Sequence, residues 1–395
     1  MNHKKTIWIK VAVFCFLFGC GEEVQQNDAS RPPSIEQWIA QSEEYLGSYY
    51  DSEDLIQLGL AESAALKAAR PDSTVPAMIQ LARVRIEQRE FEEAAALLRR
   101  AILESHYYGE AWGLMGDAYL LSGHYRRADS CYHVMYEIDD GFESLRRLAR
   151  WSELFGDFDE GIAMMDRAIA VSADWASDRD VAAAQAQLAR MFFERGYLDA
   201  ARDNLDRSLK RSPNVVSHLA LKADMMRVAG EAQAADSLIE TLAVRSPNPY
   251  YKGELARVYL RDGRHESADS LIALALDEYD ALELKYGGVI APRYVRFLLD
   301  FDIDTEKAVG LAYRLSRNQR DIYGYELLAW AYYKNGQYDR AWSSIALALR
   351  RGAVDPRVVY RASLIAKAAG MDEKHARFKE RAEALNPMAA LLYNR

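Results

Sequence analysis

Three carboxylates at alternate positions, Asp300, Asp302 and Asp304 in the segment DFDIDTEKAVGL, are the nearest thing in this chain to a metal loop. Oxygen ligands spaced in this way suit a hard cation such as calcium. A calcium loop on this spacing also needs Gly where Thr305 stands and Glu where Leu311 stands. The expectation is therefore a solvated acidic turn between two helices. His124, Cys131 and His133 are residues of zinc-ligating type. Cys131, however, adjoins Tyr132 on what reads as a core-facing helix, and no fourth ligand lies near in sequence. They read as a buried thiol and two ordinary histidines. A phosphate-binding glycine loop, a His-Glu-x-x-His zinc helix and a Gly-x-Ser-x-Gly nucleophile turn are all missing from the sequence. No metal, cofactor or catalytic residue is expected, and the chain is not read as an enzyme.

The elements that could position a binding site come next. The chain has 395 residues, half of them hydrophobic and 28% charged, which is ample for a large buried core. Its net charge of −9 gives no global attraction to nucleic acid or to an anionic membrane surface. At the N-terminus, Lys4, Lys5 and Lys10 precede the apolar run Val11–Gly19, too short to span a bilayer and suited to a signal peptide. The run ends in Leu17-Phe18-Gly19-Cys20, which resembles a bacterial lipobox with an unusual Phe at its second place. The resemblance implies cleavage before Cys20 and acylation there, with Gly21 favouring the outer membrane. Each buried methylene would add about 0.8 kcal/mol to anchoring. Loss of the three lysines takes the charge from −9 to −12. Cys15 leaves with residues 1–19 and Cys20 is consumed, so Cys131 has no intrachain partner. Residues 20–33 read as a flexible tether, the 13 from Gly21 onward reaching roughly 45 Å when extended. Ser34-Ile35-Glu36-Gln37 has the form of a capping box opening the first helix.

Beyond the tether a ladder of glycines sets the architecture. Gly123, Gly156, Gly196, Gly230, Gly263, Gly336 and Gly370 are spaced by 33, 40, 34, 33, 73 and 34 residues, the 73 being one 33 and one 40 around a degenerate copy. Seven residues before them stand Gly116, Ala149, Ala189, Ala223, Ala256, Ala329 and Ser363, all small. Five residues after them stand Ala128, Gly161, Ala201, Ala235, Ala268, Ala341 and His375, small in six cases of seven. Four residues before come mostly large side chains, among them Tyr119, Phe192, Tyr259 and Tyr332. Small residues let two helix axes approach, large ones fill the space beside the contact, and Gly supplies a left-handed stop. Pro213, Pro247 and Pro387 fall where a second helix would end.

This pattern resembles the tetratricopeptide repeat (TPR), above all in AWGLMGDAYLLSGHYRRADSCY, where Trp112, Met115, Gly116, Tyr119, Ala128 and Tyr132 fall on the family's positions. The resemblance spans roughly residues 40–389 in ten repeats, within an expected superhelix over 34–395. The first and eighth copies are weak, the eighth with one extra residue in its turn, and short insertions fall near 176–181 and 283–287. The expected fold class is all-α, a TPR-type solenoid. Tyr332, Tyr338, Ala329 and Ala341 are then core positions of one repeat.

In that family the first helices of the repeats line a concave groove that holds peptides. Carrying over the groove positions gives Arg146, Arg150, Arg190 and Arg257 as a basic stripe. Guanidinium forks suit the carboxylates of an acidic peptide. The alternative is pairing with neighbouring Asp and Glu. The same offsets give Tyr323, Trp330, Tyr333 and Tyr360 as an aromatic contact surface, the alternative being that they pack under an adjoining helix. The function expected is a membrane-anchored scaffold that binds a protein or peptide partner, without nucleic acid, in assembly of an envelope complex. Its place would be the bacterial envelope, at the outer membrane. The alternative is a surface glycan-binding lipoprotein similar to the SusD-like family.

Overall fold

The computed structural model describes residues 32–70, 74–155, 157–172, 176–352 and 354–393. The expected signal segment, Cys20 and nearly all of the tether lie outside the described residues, as does Gly156. The described chain is built of helices in antiparallel pairs: α1 (Ile35–Ser52) with α2 (Leu55–Ala68), α3 (Val75–Glu87) with α4 (Phe91–Glu104), α5 (Gly109–Leu121) with α6 (Tyr125–Ile138), α7 (Phe142–Phe155) with α8 (Phe158–Ser172), and α9 (Asp178–Glu194) with α10 (Leu198–Arg211). The row continues through α11 (Val216–Val228) with α12 (Ala232–Arg245), α13 (Pro249–Arg261) with α14 (His265–Asp300), α15 (Thr305–Asn318), α16 (Ile322–Lys334) with α17 (Tyr338–Arg350), α18 (Pro356–Ala368) with α19 (Asp372–Leu385), and the short α20 (Ala389–Tyr393). It is an α-solenoid of the TPR type.

Local chemistry follows the sequence closely. Ser34 and Gln37 form the capping box, each side chain accepting from the other's backbone N–H at 3.3 and 2.8 Å. The six described glycines of the ladder all take positive φ, from 71 to 84°. In each of those turns the next residue's N–H donates to the carbonyl four before the Gly, as His124 does to Tyr119 at 2.8 Å, which satisfies a helix-end acceptor. The small residues at the crossings are buried, and a Cβ on Gly116 would overlap the Tyr132 ring. His375 is the large exception; its ring Nδ1 lies 2.9 Å from the Ser363 carbonyl oxygen.

The two weak copies have left-handed residues that are not glycine, Glu53 in the first turn and Asp302 and Asp304 in the eighth, and so does the second copy, Arg89. The eighth turn, 301–304, has one residue more than 335–337, as expected. The insertion near 176–181 lengthens α9 to 17 residues, capped by Ser177. The one near 283–287 fuses two helices into the 36-residue α14, broken locally at Tyr286. Tyr338 departs from expectation. It is 42% exposed, because it opens α17 at the rim of the turn, where no helix covers it.

Repeats distant in sequence also meet, so the solenoid coils back on itself. One core joins Leu46, Leu58 and Val84 of α1–α3 to Tyr294, Leu311 and Leu327 of α14–α16. Another joins Leu120, Tyr132 and Leu148 of α5–α7 to Ile345, Val358 and Phe378 of α17–α19. Polar bonds fix the register of the two turns. Ser246 Oγ donates to the Ser52 carbonyl at 3.0 Å, and the Ile322 N–H to the Tyr125 hydroxyl at 2.8 Å. Arg351 donates to the Gly123 carbonyl at 2.6 Å, and Asn386 Nδ2 to the Glu194 carbonyl at 3.0 Å. At the seam Glu53 accepts two bonds from Arg293, one from Asn248 and one from the Tyr251 hydroxyl.

Candidate functional site

Coiling places helices of the second turn, α16 and α18, against the concave wall made by α7, α9 and α11. What remains open inside is two adjoining cavities that share Arg150, Ser217 and Tyr323. The inner chamber, about 510 Å³, is lined by Tyr49, Tyr50 and Glu53 at the end of α1, Glu87 and Arg89, Arg150, Arg293 and Arg296 of α14, Asp321, Tyr323 and Arg357. The second cavity, about 350 Å³, is lined by Arg150, Glu153, Gln187, Arg190, Glu194, His218 and Tyr323.

Three of the sequence-derived groove residues therefore converge: Arg150, Arg190 and Tyr323. Asp117, the acid near Arg150, is already engaged by the Tyr132 hydroxyl and by Arg147 Nε, both at 2.9 Å. Arg146 and Arg257 depart from the stripe. Arg146 packs over the Phe142 ring and pairs with Glu143 at 3.5 Å. Arg257 is held between Glu254, at 2.7 Å, and Asp300. Both are matched by local carboxylates, which is the alternative the sequence had left open.

The aromatic surface needs a larger correction. Trp330 is 3% and Tyr360 6% exposed, so neither can meet a partner. The reason is the next repeat: α18 lays the Arg361 guanidinium over the Trp330 indole at 4.3 Å, while Tyr333 stacks on it at 4.7 Å. Arg361 is itself paired with the fully buried Glu326. Tyr333 is half-buried in this stack. Tyr360 lies in the core that joins the two turns.

The residues first considered for metal chemistry have other work. Asp304 caps α15 by accepting from the Lys307 N–H at 2.9 Å, Asp300 pairs with Arg257, and Asp302 pairs with Lys334 at 3.3 Å. Cys131 is core, its thiol pushed up to about 11 by burial. His133 faces solvent and contacts its own helix, at the Asp129 carbonyl.

The electrostatics of the site follow from the partial burial of its acids and the burial of His218, beside the exposed Arg150 and Arg190. Burial, with Glu194 and Asp355 nearby, pushes Glu153 up to about 8, so it is largely protonated at neutral pH. Glu194 is raised by burial and by Asp355. Burial and Arg190 hold His218 down to about 4, so its ring is neutral, with Nδ1 3.0 Å from Ser208 Oγ. With His218 neutral and Glu153 pushed up, Arg150 and Arg190 face Glu194 as the remaining acid of the second cavity. Such a place can hold an anionic group by charge-assisted hydrogen bonds.

Sequence reasoning missed Arg293, Arg296 and Arg357, which face the chamber from the second turn. Arg357 did carry a signal: it is the second residue of its repeat, as Tyr323 is of the one before. Arg296 carried one as well: it stands six residues before the left-handed Asp302 of the eighth copy, the place Arg150 and Arg190 hold before their glycines, whereas Arg293 carried none.

No family model matches the sequence, and no curated protein sequence is significantly similar to it. Several solved structures are distantly similar. A human IFIT1 dimer with PPP-AAAA is 15% identical, with 88% of this chain and 82% of that chain covered and a TM-score of 0.47. PilW, a type IV pilus biogenesis factor, is 17% identical, with 55% and 96% covered and a TM-score of 0.42. A tetratricopeptide repeat protein from Parabacteroides merdae is 17% identical, with 61% and 91% covered and a TM-score of 0.40. At this distance the likeness concerns the fold alone. Paired helices, left-handed turns and small-residue crossings make this chain a TPR-type α-solenoid.

Proposed function

We propose that the chain is a membrane-anchored interaction scaffold that captures an acidic segment of a protein partner in its concave interior. The segment's carboxylates would dock on Arg150 and Arg190, with Tyr323 beside them. The observation that carries this reading is the convergence of those three residues on one inward cavity, where Arg150 forms no ion pair with a described carboxylate. The raised Glu153 competes weakly for those guanidinium groups, which supports their taking an external anion. The anchor would be acyl chains on Cys20, with the tether carrying the solenoid clear of the bilayer in the bacterial envelope, at the outer membrane. Assembly of an envelope complex is the role such an anchored scaffold fits. The reading assigns binding and no catalysis.

Affinity capture of the full chain from its own membranes tests the reading. A partner retained by the wild type and lost from the Arg150→Gln/Arg190→Gln variant supports it. The same partners on both chains, or capture of a glycan in place of a protein, overturns it. Palmitate labelling tests the anchor separately: label on the wild type and none on Cys20→Ser is the expected result.

A further inference from the structure

We propose that the inner chamber is a binding site for a compact dianion of the phosphoryl class, held by Arg150, Arg296 and Arg357. The inference stands on the chamber and does not require the protein-partner reading.

The charge balance of the wall comes first. Arg89, Arg150, Arg293, Arg296 and Arg357 face three carboxylates, Glu53, Glu87 and Asp321. Five against three leaves two positive charges when all are ionised. Glu53 is consumed by Arg293 at the seam. Burial raises Glu87 and Asp321 and lowers Arg89, so it acts on both signs of the wall alike. Arg150, Arg296 and Arg357 form no ion pair with any described carboxylate.

The second observation is an unmade bond. Arg357 Nε is buried with no acceptor, although its ring neighbour Tyr323 lies 5.0 Å away under the guanidinium. A buried charged donor without a partner is unfavourable unless a ligand supplies the acceptor. Arg296 differs from Arg357, which Glu326, Asp355 and Glu194 hold up. Burial and the field of Arg357 and Arg361 push Arg296 down to about 10. Arg296, Arg357 and Arg361 share one buried carboxylate, Glu326, so three cations surround a single anion and a second anion is favoured on the chamber side.

Geometry selects the kind of anion. Arg150, Arg296 and Arg357 line the chamber from three helices, α7, α14 and α18, and each carries a planar fork that seeks two oxygens. A carboxylate offers two oxygens in one plane. A phosphoryl group offers three terminal oxygens in three directions and carries close to two charges at neutral pH. A chamber of about 510 Å³ holds more than the bare ion. Tyr49, Tyr50 and Tyr323 line the remaining space, so an organic phosphomonoester fits as well as free phosphate. Because Arg150 belongs to the first turn and the other two to the second, the ligand would also tie the turns together.

Thermal unfolding of the full chain at constant ionic strength is the test, with inorganic phosphate, glycerol phosphate, phenyl phosphate, succinate and chloride as probes. A saturable rise of about 2 °C at tenfold excess over Kd is expected for the phosphate probes relative to chloride. Calorimetric titration should show phosphate binding at least tenfold tighter than succinate. A tighter phenyl phosphate marks an aromatic phosphomonoester as the ligand, a tighter glycerol phosphate a lipid headgroup, and a tighter inorganic phosphate the free ion. Arg357→Lys keeps the charge and loses the fork, and should weaken binding about tenfold. Arg190→Gln, outside the chamber, should lose partner capture and keep the phosphate shift. Equal shifts for phosphate and chloride in the wild type, or succinate binding as tightly as phosphate, would overturn the proposal whatever the variants do.

Discussion

Replacing Arg293 by Gln should unseat the seam where the solenoid closes. Glu53 is 13% exposed and Arg293 36%, with Nη2 to Oε1 at 2.8 Å and a second bond beside it. The glutamate keeps only Asn248 Nδ2 at 3.1 Å and the Tyr251 hydroxyl at 3.2 Å after the change. Two neutral donors do not balance a buried carboxylate. Breaking a buried pair from one side costs roughly 3–5 kcal/mol. Arg293 is open enough for water to replace part of it, so about 2–3 kcal/mol is expected here. Glu53 is also the left-handed residue that ends α1, at φ 58°, so the loss falls on a backbone already in an uncommon conformation. Urea denaturation followed by circular dichroism measures the loss. Adding Glu53→Gln should recover about 1 kcal/mol or more, since the second change removes the stranded charge. An Arg293→Gln chain within about 0.5 kcal/mol of wild type, or two single effects that merely add, would refute this account of the seam.

Trp330→Ala should lose about 3–5 kcal/mol in the same assay, because the indole is enclosed by Arg361 and Tyr333; a loss below about 1 kcal/mol would restore it as a contact residue. Stability should also depend on Glu153. Its environment comprises Arg150 on its own helix, Glu194 and Arg195 from α9, and Asp355 before α18. Its carboxyl titrates at about 8 when folded, above the ordinary 4.5. The protonated form is therefore favoured by folding. The contribution is complete below about pH 4.5 and is lost as pH rises through 8, with a slope of up to about 1.4 kcal/mol per pH unit. Glu153→Gln should flatten that part of the profile, and an unchanged profile would show that Glu153 is not the group responsible.

The sequence announced its paired helices because the same few residues recur at each crossing. Gly116, Ala149 and their counterparts are legible wherever a left-handed Gly marks the turn. Where Glu53 or Asp302 takes the left-handed position, the register blurs, and those are the copies that read as weak; Arg89 takes it in the second copy, which still read as a repeat. Contacts along the solenoid are local in sequence and repeat, so they leave a period. Contacts between its turns join α1 to α13–α14 and α7 to α18 once each, and a single contact leaves none. That is why Trp330 and Tyr360 read as groove residues: their offsets are right, but the groove at that point is filled by the chain itself. Arg150, Arg190 and Tyr323 survive because they stand where the filling stops. Arg296 stands at the same offset, six residues before Asp302, but the turn there has no glycine and the ladder does not mark it.

The central claim, that the solenoid closes on itself around an arginine-lined interior, is tested most directly by cross-linking across the seam. Ser52 and Ser246 are joined by a 3.0 Å hydrogen bond although 194 residues apart. With Cys15, Cys20 and Cys131 changed to Ala, the Ser52→Cys/Ser246→Cys chain is treated with a short bifunctional thiol reagent and its intrachain bridge is read by peptide mass spectrometry. Closure predicts rapid, nearly complete intrachain bridging that urea abolishes. An open superhelix predicts no bridge in the folded chain, and that result would contradict the account.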